Sequence, residues 1–400
     1  MSEVSLKDDN ARIDGPVRPG TYIAVTFWGE EYRRFFLDYC LASLMAPGNI
    51  PAIRNKDAAR LLIATRQDDW QALQSEPIFM AAKRHIAIEH VPHEAALDVP
   101  NNKKMSVMSN GHKLLTKRMF EDRAQCVMVY PDAIIADGAI RKIEELAESG
   151  YKVVLCMAVR FANAGLQDEL NALGVIGNGR PLVIEPKDLV RLSIKHMHSE
   201  AVRLEFEAEL DDQAACSFFW TVAAGQDLLF HCANWAPMLI DYRSMINHDA
   251  STFDEWTFDG DYIAKNFPDA RDIYVVRDTT ELFLTSFTSE TKVSFRKIRL
   301  LPYRLPALRE TIKIIRAHEY MTAYNVLDDV KRIFFRVPIR VQGGVSSEVA
   351  WQDAEARAAK IVDRIIDPGA VLAMGCYGWS IIRKSISRGL RVWRGFRGRA

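Results

Sequence analysis

The residue types able to do chemistry in this chain are concentrated in two acidic segments and a scatter of histidines. Val127-Met128-Val129-Tyr130-Pro131-Asp132 is a β-forming apolar run that ends on an acid. Open α/β sheets take their ligands beyond the carboxyl ends of their strands, and an acid there can hold a divalent cation that neutralises a departing diphosphate. The plain alternative is an acid that opens a turn or caps the next helix, because Pro131-Asp132 and the following Asp137-Gly138 are turn pairs. The second segment, Asp259-Gly260-Asp261, lies among Trp256, Phe258 and Tyr262. In extended chain its two carboxylates face one side, where they could bind a metal or take a proton from an acceptor hydroxyl. An exposed acidic turn around Gly260 is the competing reading.

His231 follows the apolar run Leu228-Leu229-Phe230 and reads either as a pocket residue or as a hydrogen-bonded core histidine. His196 and His198 could share a zinc ion only if the helix ends before them, since residues two apart on a helix point about 200° apart. No Gly-x-Gly-x-x-Gly follows the first strand, no phosphate-loop motif occurs, and no Gly-x-Ser-x-Gly elbow is present. A dinucleotide dehydrogenase, a P-loop enzyme and a serine hydrolase therefore lack their signatures.

The elements that must position these residues alternate. Tyr22 to Phe27 reads as a buried strand, Glu30 to Met45 as a helix stopped by Pro47-Gly48-Asn49, Arg60 to Thr65 as a strand, Asp68 to Ser75 as a helix and His85 to Val91 as a strand. His112 to Arg123 reads as a helix, Cys126 to Tyr130 as a central strand, Gly138 to Ser149 as a helix and Tyr151 to Val159 as a strand. This alternation predicts a parallel sheet with helices on both faces. Further on come the helix Pro186 to Met197 and short aromatic strands over Ser217 to Val222, Leu228 to His231 and Asp272 to Val276. Pro302 and Pro306 mark a boundary, beyond which Leu308 to Arg332 and Ser347 to Ile366 are helical.

Ile23-Ala24-Val25-Thr26-Phe27-Trp28-Gly29, the helix with Tyr32 and Phe35, and Ser43-Leu44-Met45-Ala46-Pro47-Gly48-Asn49-Ile50-Pro51 resemble the opening of bacterial GT-A-type glycosyltransferases. Phe258-Asp259-Gly260-Asp261-Tyr262, Tyr274-Val275-Val276-Arg277-Asp278 and the helix ending His196-Met197-His198 resemble further segments of such proteins. The resemblance covers about Tyr22 to Ser286, and it implies a GT-A-like Rossmann-type α/β fold with a mostly parallel sheet, followed here by a helical C-terminal region. It implies a nucleotide-sugar donor near Thr26, Trp28, Tyr130, Asp132 and His231, a manganese or magnesium ion on Asp132, and Asp259 or Asp261 as base. The acceptor would be a glycan or lipid-linked precursor of a bacterial surface polysaccharide. Tyr130 and Asp132 fall where that family presents an Asp-x-Asp pair, so the first acid is replaced. A one-carboxylate metal site, a metal-independent transferase and an inactive scaffold all fit. Two rivals stand outside catalysis of this kind: a non-catalytic binding or assembly protein on the same scaffold, and a metal hydrolase using Asp259, Asp261 and His231.

The organisation expected is a polar tail over 1–20, a nucleotide-sugar half over 21–180, an acceptor-side half over 181–300 and a helical region over 301–400. Basic and acidic residues balance at 52 each, which removes any global field toward nucleic acid. A local field exists at the end. From Ile381 to Ala400 there are seven Lys or Arg and no acid, and as a helix Trp379, Ile382, Ile386, Leu390 and Trp393 would share one stripe. With Lys384, Arg388, Arg391 and Arg394 beside that stripe, such a helix could lie in an anionic membrane surface; docking on the protein's own core is the alternative. Six dispersed cysteines without a Cys-x-x-Cys pair, no signal-like N-terminus and no long apolar run lead us to expect a cytoplasmic protein, peripheral at the inner face of the cell membrane.

Overall fold

The computed structural model describes the chain apart from residues 1–19, 97–102, 158–160, 178, 209–215, 224, 234, 255–256, 259–260, 291–305, 324–328, 370–373, 375–377 and 379–400. β1 (Thr21–Thr26) is followed by α1 (Glu30–Phe35), a π-helical turn (Phe36–Leu41) and α2 (Ala42–Leu44). Gly29 makes the change from strand to helix at φ 82°, a left-handed value that glycine adopts without strain. β2 (Arg60–Thr65) leads through α3 (Gln67–Leu73) and α4 (Pro77–Ala82) to β3 (Ala87–Pro92). α5 (Lys104–Glu121) then runs back to β4 (Gln125–Met128), which pairs with β1 on the side away from β2.

The two faces of these strands are covered by different helices. Ile23, Val25, Leu61, Ile63 and Val127 pack with Phe36, Leu37, Leu41 and Phe79. Ala24, Leu62, Ala64, Cys126 and Met128 pack with Leu115 and Met119 of α5. The period-two alternation along each strand sets which residue meets which layer. Because β2 and β3 lie on one side of β1 and β4 on the other, β1 and β4 are the neighbours where the strand order reverses.

Beyond β4 the chain forms β5 (Ala133–Ile135), α6 (Ala139–Glu148), β6 (Val153–Met157), β7 (Ala162–Asn163) and α7 (Gly165–Ala172). α8 (Pro186–Lys195) and α9 (Ser199–Val202) precede three strands, β8 (Ser217–Val222), β9 (Asp227–Cys232) and β10 (Trp235–Asp241). α10 (Asp261–Asn266), β11 (Ile273–Val275) and β12 (Leu284–Thr288) follow. The chain then forms α11 (Pro306–Ala323), α12 (Asp329–Phe335), β13 (Ile339–Gln342) and α13 (Glu348–Ile366). The main sheet has the order β11-β6-β10-β4-β1-β2-β3, with β10 antiparallel to both of its neighbours and the other pairs parallel. This is the mostly parallel α/β sheet flanked by helices that the alternation predicts.

The differences from the sequence reading include three that shape the sheets and their cover. β10 was not expected; Pro237 interrupts its apolar run, and the sheet accommodates it with a register shift between Pro237 and Leu239. α5 begins at Lys104, eight residues before the His112 start that the pattern suggested. The C-terminal region is not purely helical, since β13 pairs with β9 to build a second sheet, β13-β9-β8. That small sheet is a partition: Phe219, Leu228, Phe230 and Cys232 join the core of the main sheet, while Phe218, Trp220, Val222 and Leu229 meet Ile314, Ala317, Trp351, Ala358 and Ile365 of α11 and α13.

Candidate functional site

Doubly wound sheets bind ligands at the reversal of strand order, outside the carboxyl ends of the strands. Here that place is the rim formed by the ends of β1 and β4. Tyr130, Pro131 and Asp132 turn there, closed by a hydrogen bond from Ala133 N–H to Tyr130 O at 3.1 Å. Both Tyr130 and Asp132 are half-buried. The turn is held on two sides by backbone: Val129 N–H donates to Ala24 O of β1 at 3.0 Å, and Phe287 N–H of β12 donates to Asp132 O at 3.3 Å.

A third support comes from the segment after the π-helical turn. Asn49 is fully buried; its Nδ2 donates to Ser43 O (2.9 Å) and Ala136 O (3.2 Å), and its Oδ1 accepts from Ile140 N–H (3.1 Å). Ser43 Oγ accepts from Ile135 N–H at 3.1 Å, and Asp137 Oδ1 accepts from Gly48 N–H at 2.6 Å. A Cβ on Gly48 would fall 2.6 Å from the Gly138 backbone, so only glycine permits this approach. The Ser43-to-Asn49 segment thus clamps β5 and the start of α6, the chain that leaves Asp132. Burial raises the Cys40 thiol pKa, with the charge of Asp132 adding to it, which places that carboxylate within electrostatic reach of the π-helical turn.

On the β1 side, Trp28 is half-buried with its ring edge-on to His93 at 6.3 Å. Gly29 N–H donates to Asp69 Oδ2 at 2.8 Å, and Arg33 binds the other oxygen at 2.7 Å. His93 N–H donates to Thr65 O at 3.0 Å at the end of β2. Burial lowers the His93 pKa; burial and the neighbouring His93 push His112 down to about 3, so both rings are neutral near pH 7. Thr65 Oγ1, Arg66 Nε, His93 Nδ1 and His112 Nδ1 are buried without a hydrogen-bond partner. Such atoms call for water or a ligand.

The residues named from sequence separate into groups. Trp28, Tyr130 and Asp132 share the rim. Thr26 ends β1 but does not face open space: its Oγ1 donates to Ala64 O at 3.1 Å, and α5 packs on it so closely that a Cβ on Gly111 would lie 2.1 Å from that oxygen. His231 is elsewhere. It lies on the far face of the β13-β9-β8 partition, 2% exposed, its Nδ1 on Phe335 O at 2.9 Å and its ring edge-on to Trp220 at 5.8 Å. Burial pushes it down to about 4, so this is a neutral core histidine and not a rim residue. Asp261 opens α10, where its carboxylate is ion-paired with Lys331 of α12, a lysine only 5% exposed. Asp259 and the tail residues Trp379, Lys384, Arg388, Arg391, Trp393 and Arg394 lie outside the described residues.

One acid was missed. Glu290 follows β12 three residues after Phe287, so at most about 10 Å of chain separates it from the backbone contact with Asp132. Its carboxylate accepts from Ser199 N–H at 3.0 Å and from Ser199 Oγ, and lies 3.6 Å from Nε2 of fully buried His198. Burial pushes the Glu290 carboxyl up, but the hydrogen bonds from Ser199 outweigh it and hold the carboxyl below the usual glutamate range. Nothing in Thr288-Ser289-Glu290 announces this, because its partners come from 91 residues away.

A divalent cation is implied by the GT-A resemblance. Among the described residues no group of three His, Cys, Asp or Glu converges to hold one, and the first acid of the pair is Tyr130. The described donor set does not fit a protein-held metal centre. Two cavities lie away from the rim: one of about 190 Å³ at the amino ends of β1 and β4 beside Thr21 and Gln125, and one of about 540 Å³ among α11, α13 and β8.

No family model matches the sequence, and no curated protein matches it. Among solved structures, similarity is found to S. aureus TarS 1–349 at 10% identity, covering 35% of this chain and 36% of that one, with a TM-score of 0.23. A putative glucose-1-phosphate thymidylyltransferase from Bacillus anthracis in complex with a sucrose is similar at 13% identity over 36% of this chain and 59% of that one, TM-score 0.23. Mouse xyloside xylosyltransferase 1, apo form, is similar at 10% identity over 39% of this chain and 59% of that one, TM-score 0.23. The chain spans between about a third and three-fifths of those structures, and scores this low carry no argument about function.

Proposed function

We propose that this chain is a glycosyltransferase that moves a sugar from a nucleotide-sugar donor to a hydroxyl of a glycan or lipid-linked acceptor in bacterial surface polysaccharide synthesis. The observation that carries the reading is the Tyr130-to-Asp132 turn, set at the reversal of strand order and clamped by β1, β12 and Asn49. Rigid elements under a polar turn are what a positioned ligand needs. Neutral His93 beside Trp28 suits a nucleobase and ribose, which take hydrogen bonds and stacking rather than charge. Asp132 orients the donor at the sugar end. A carboxylate must accept the acceptor's proton, and Glu290, Asp259 and Asp261 are the candidates in this reading. The basic tail would bring the enzyme to anionic lipid bearing its acceptor; no helix of the described residues is long and apolar enough to cross a membrane.

A second reading, a binding or assembly protein on the same scaffold, is favoured by Tyr130 in place of an acid and by the engagement of Asp261 with Lys331. Calorimetric titration with a panel of nucleotide diphospho-sugars, with and without manganese, separates the two. Heat with one donor, followed by release of free nucleotide on adding acceptor, supports the transferase. Silence with every donor rejects it.

A further inference from the structure

Away from the rim, α11, α13 and the chain before β8 line an open cleft of about 540 Å³, within the size range of small-ligand sites. Its floor is Phe206 stacked on Trp220, ring centroids 5.3 Å apart, with Ile361 beside them. Its walls are charged. Arg309 and Glu310 come from α11, Arg357, Lys360 and Arg364 from α13, and Glu207 from the chain before β8. Positions 357, 360, 361 and 364 repeat at helical spacing and so share one face, with cations at three of the four.

Arg357 pairs with Glu207 at 2.7 Å and Arg364 pairs with Glu310. Arg309 and Lys360 have no carboxylate partner among the described residues, so four cations and two carboxylates leave the lining with two positive charges. Lys313, one turn along α11, does not add to this. Its Nζ donates to the carbonyls of Phe206 and Ala208 at 2.6 Å each and stands 5.5 Å from the centre of the Phe206 ring, which fixes the floor. A site with two spare cations beside two carboxylates, which accept from hydroxyls, selects a compact dianion joined to a hydroxylated body. Phosphate is that dianion near neutral pH, and the arginine fork matches its oxygens.

We propose that this cleft binds a phosphate ester, its phosphate on Arg309 and Lys360 and the hydroxyls of its body donating to Glu207 and Glu310. The proposal stands apart from the transferase reading, since neither donor nor acceptor at the rim is needed for it. Soluble sugar phosphates and phospholipid headgroups share this chemistry.

Calorimetry on the full chain distinguishes them, using glucose 1-phosphate, inorganic phosphate, and phosphatidylcholine vesicles with or without phosphatidic acid. The proteins compared are wild type, Asp132→Ala and the double variant Arg309→Ala with Lys360→Ala. Glucose 1-phosphate or the phosphatidic acid vesicles should bind wild type and Asp132→Ala alike, and bind the double variant at least about tenfold more weakly at unchanged melting temperature. Binding of the sugar phosphate identifies a soluble ligand, and binding of the acidic vesicles alone identifies a headgroup. Lys360→Gln alone should show a smaller loss, which guards against misfolding of the double variant. The proposal is overturned by silence with all probes, by equal binding to the double variant, by loss in Asp132→Ala instead, or by inorganic phosphate binding as tightly as its esters.

Discussion

Two acidic segments compete for the chemistry of this chain, and they are held in opposite ways. Asp132 stands in a turn whose backbone is tied to β1 and β12 and whose onward chain is tied to Asn49, while its side chain remains half-exposed at the rim. Asp261 sits at the first position of a short helix with its carboxylate already engaged by a buried lysine. The literal Asp-Gly-Asp spelling belongs to the second segment, whereas the hydrogen-bonded framework that the proposed transferase needs belongs to the first. Asp261 is the weaker candidate in the proposed reading, because a carboxylate committed to an ion pair is a poor base and a poor ligand until the pair breaks.

The largest effect expected is on activity. Asp132→Asn should lower transfer by about 10²–10³-fold, as loss of one positioned polar group does, with stability changed by under about 1 kcal/mol. Steady-state rates beside urea unfolding check both; a larger activity loss in Asp261→Asn would reverse the ranking of the two segments. Next, Asn49→Ala removes three buried hydrogen bonds and leaves their partners unsatisfied. It should destabilise by about 2–4 kcal/mol and weaken donor binding without touching the donor, and an unchanged urea midpoint would show that the clamp is not needed.

Acid sensitivity sharpens the contrast between the rim and the helical layer. His112 and His231 have depressed folded pKa values, about 3 and about 4, against an ordinary 6.5. Their stabilising contribution is therefore complete above about pH 6.5 and is lost as pH falls toward those values, at up to about 1.4 kcal/mol per pH unit for each ring. Urea midpoints from pH 7 to pH 5 should fall, and His231→Phe should flatten the slope by about one proton's worth. Gly111→Ala forces a Cβ onto Thr26 and should cost about 1–3 kcal/mol, seen as a lower melting temperature. Smallest is Asp261→Asn: the amide oxygen still accepts from buried Lys331 and the replaced carboxylate is 42% exposed, so loss of its charge should lower stability by about 1 kcal/mol.

Local patterns in the sequence carried the parallel strands and most of the helices. Val127 to Asp132 and Tyr22 to Trp28 were legible because a central parallel strand is apolar on both faces and ends abruptly. β10 was hidden because Pro237 breaks its run, and only the neighbouring strands restore it. Asn49 read as a helix stop, which it is, but its second role as a clamp depends on Ala136 and Ile140 nearly ninety residues on. Glu290 failed for the same reason. His231 illustrates the converse: a histidine after an apolar run looks like a pocket residue until the sheet shows which face it occupies.

Photolabelling with an azido-nucleotide diphospho-sugar, followed by peptide mapping, tests the location of the donor most directly. Crosslinks within 22–34 and 126–137, abolished by excess unlabelled donor and reduced in Asp132→Asn, are the predicted result. Competable crosslinks confined to 206–222 and 357–364 would place the nucleotide in the helical layer and contradict the account.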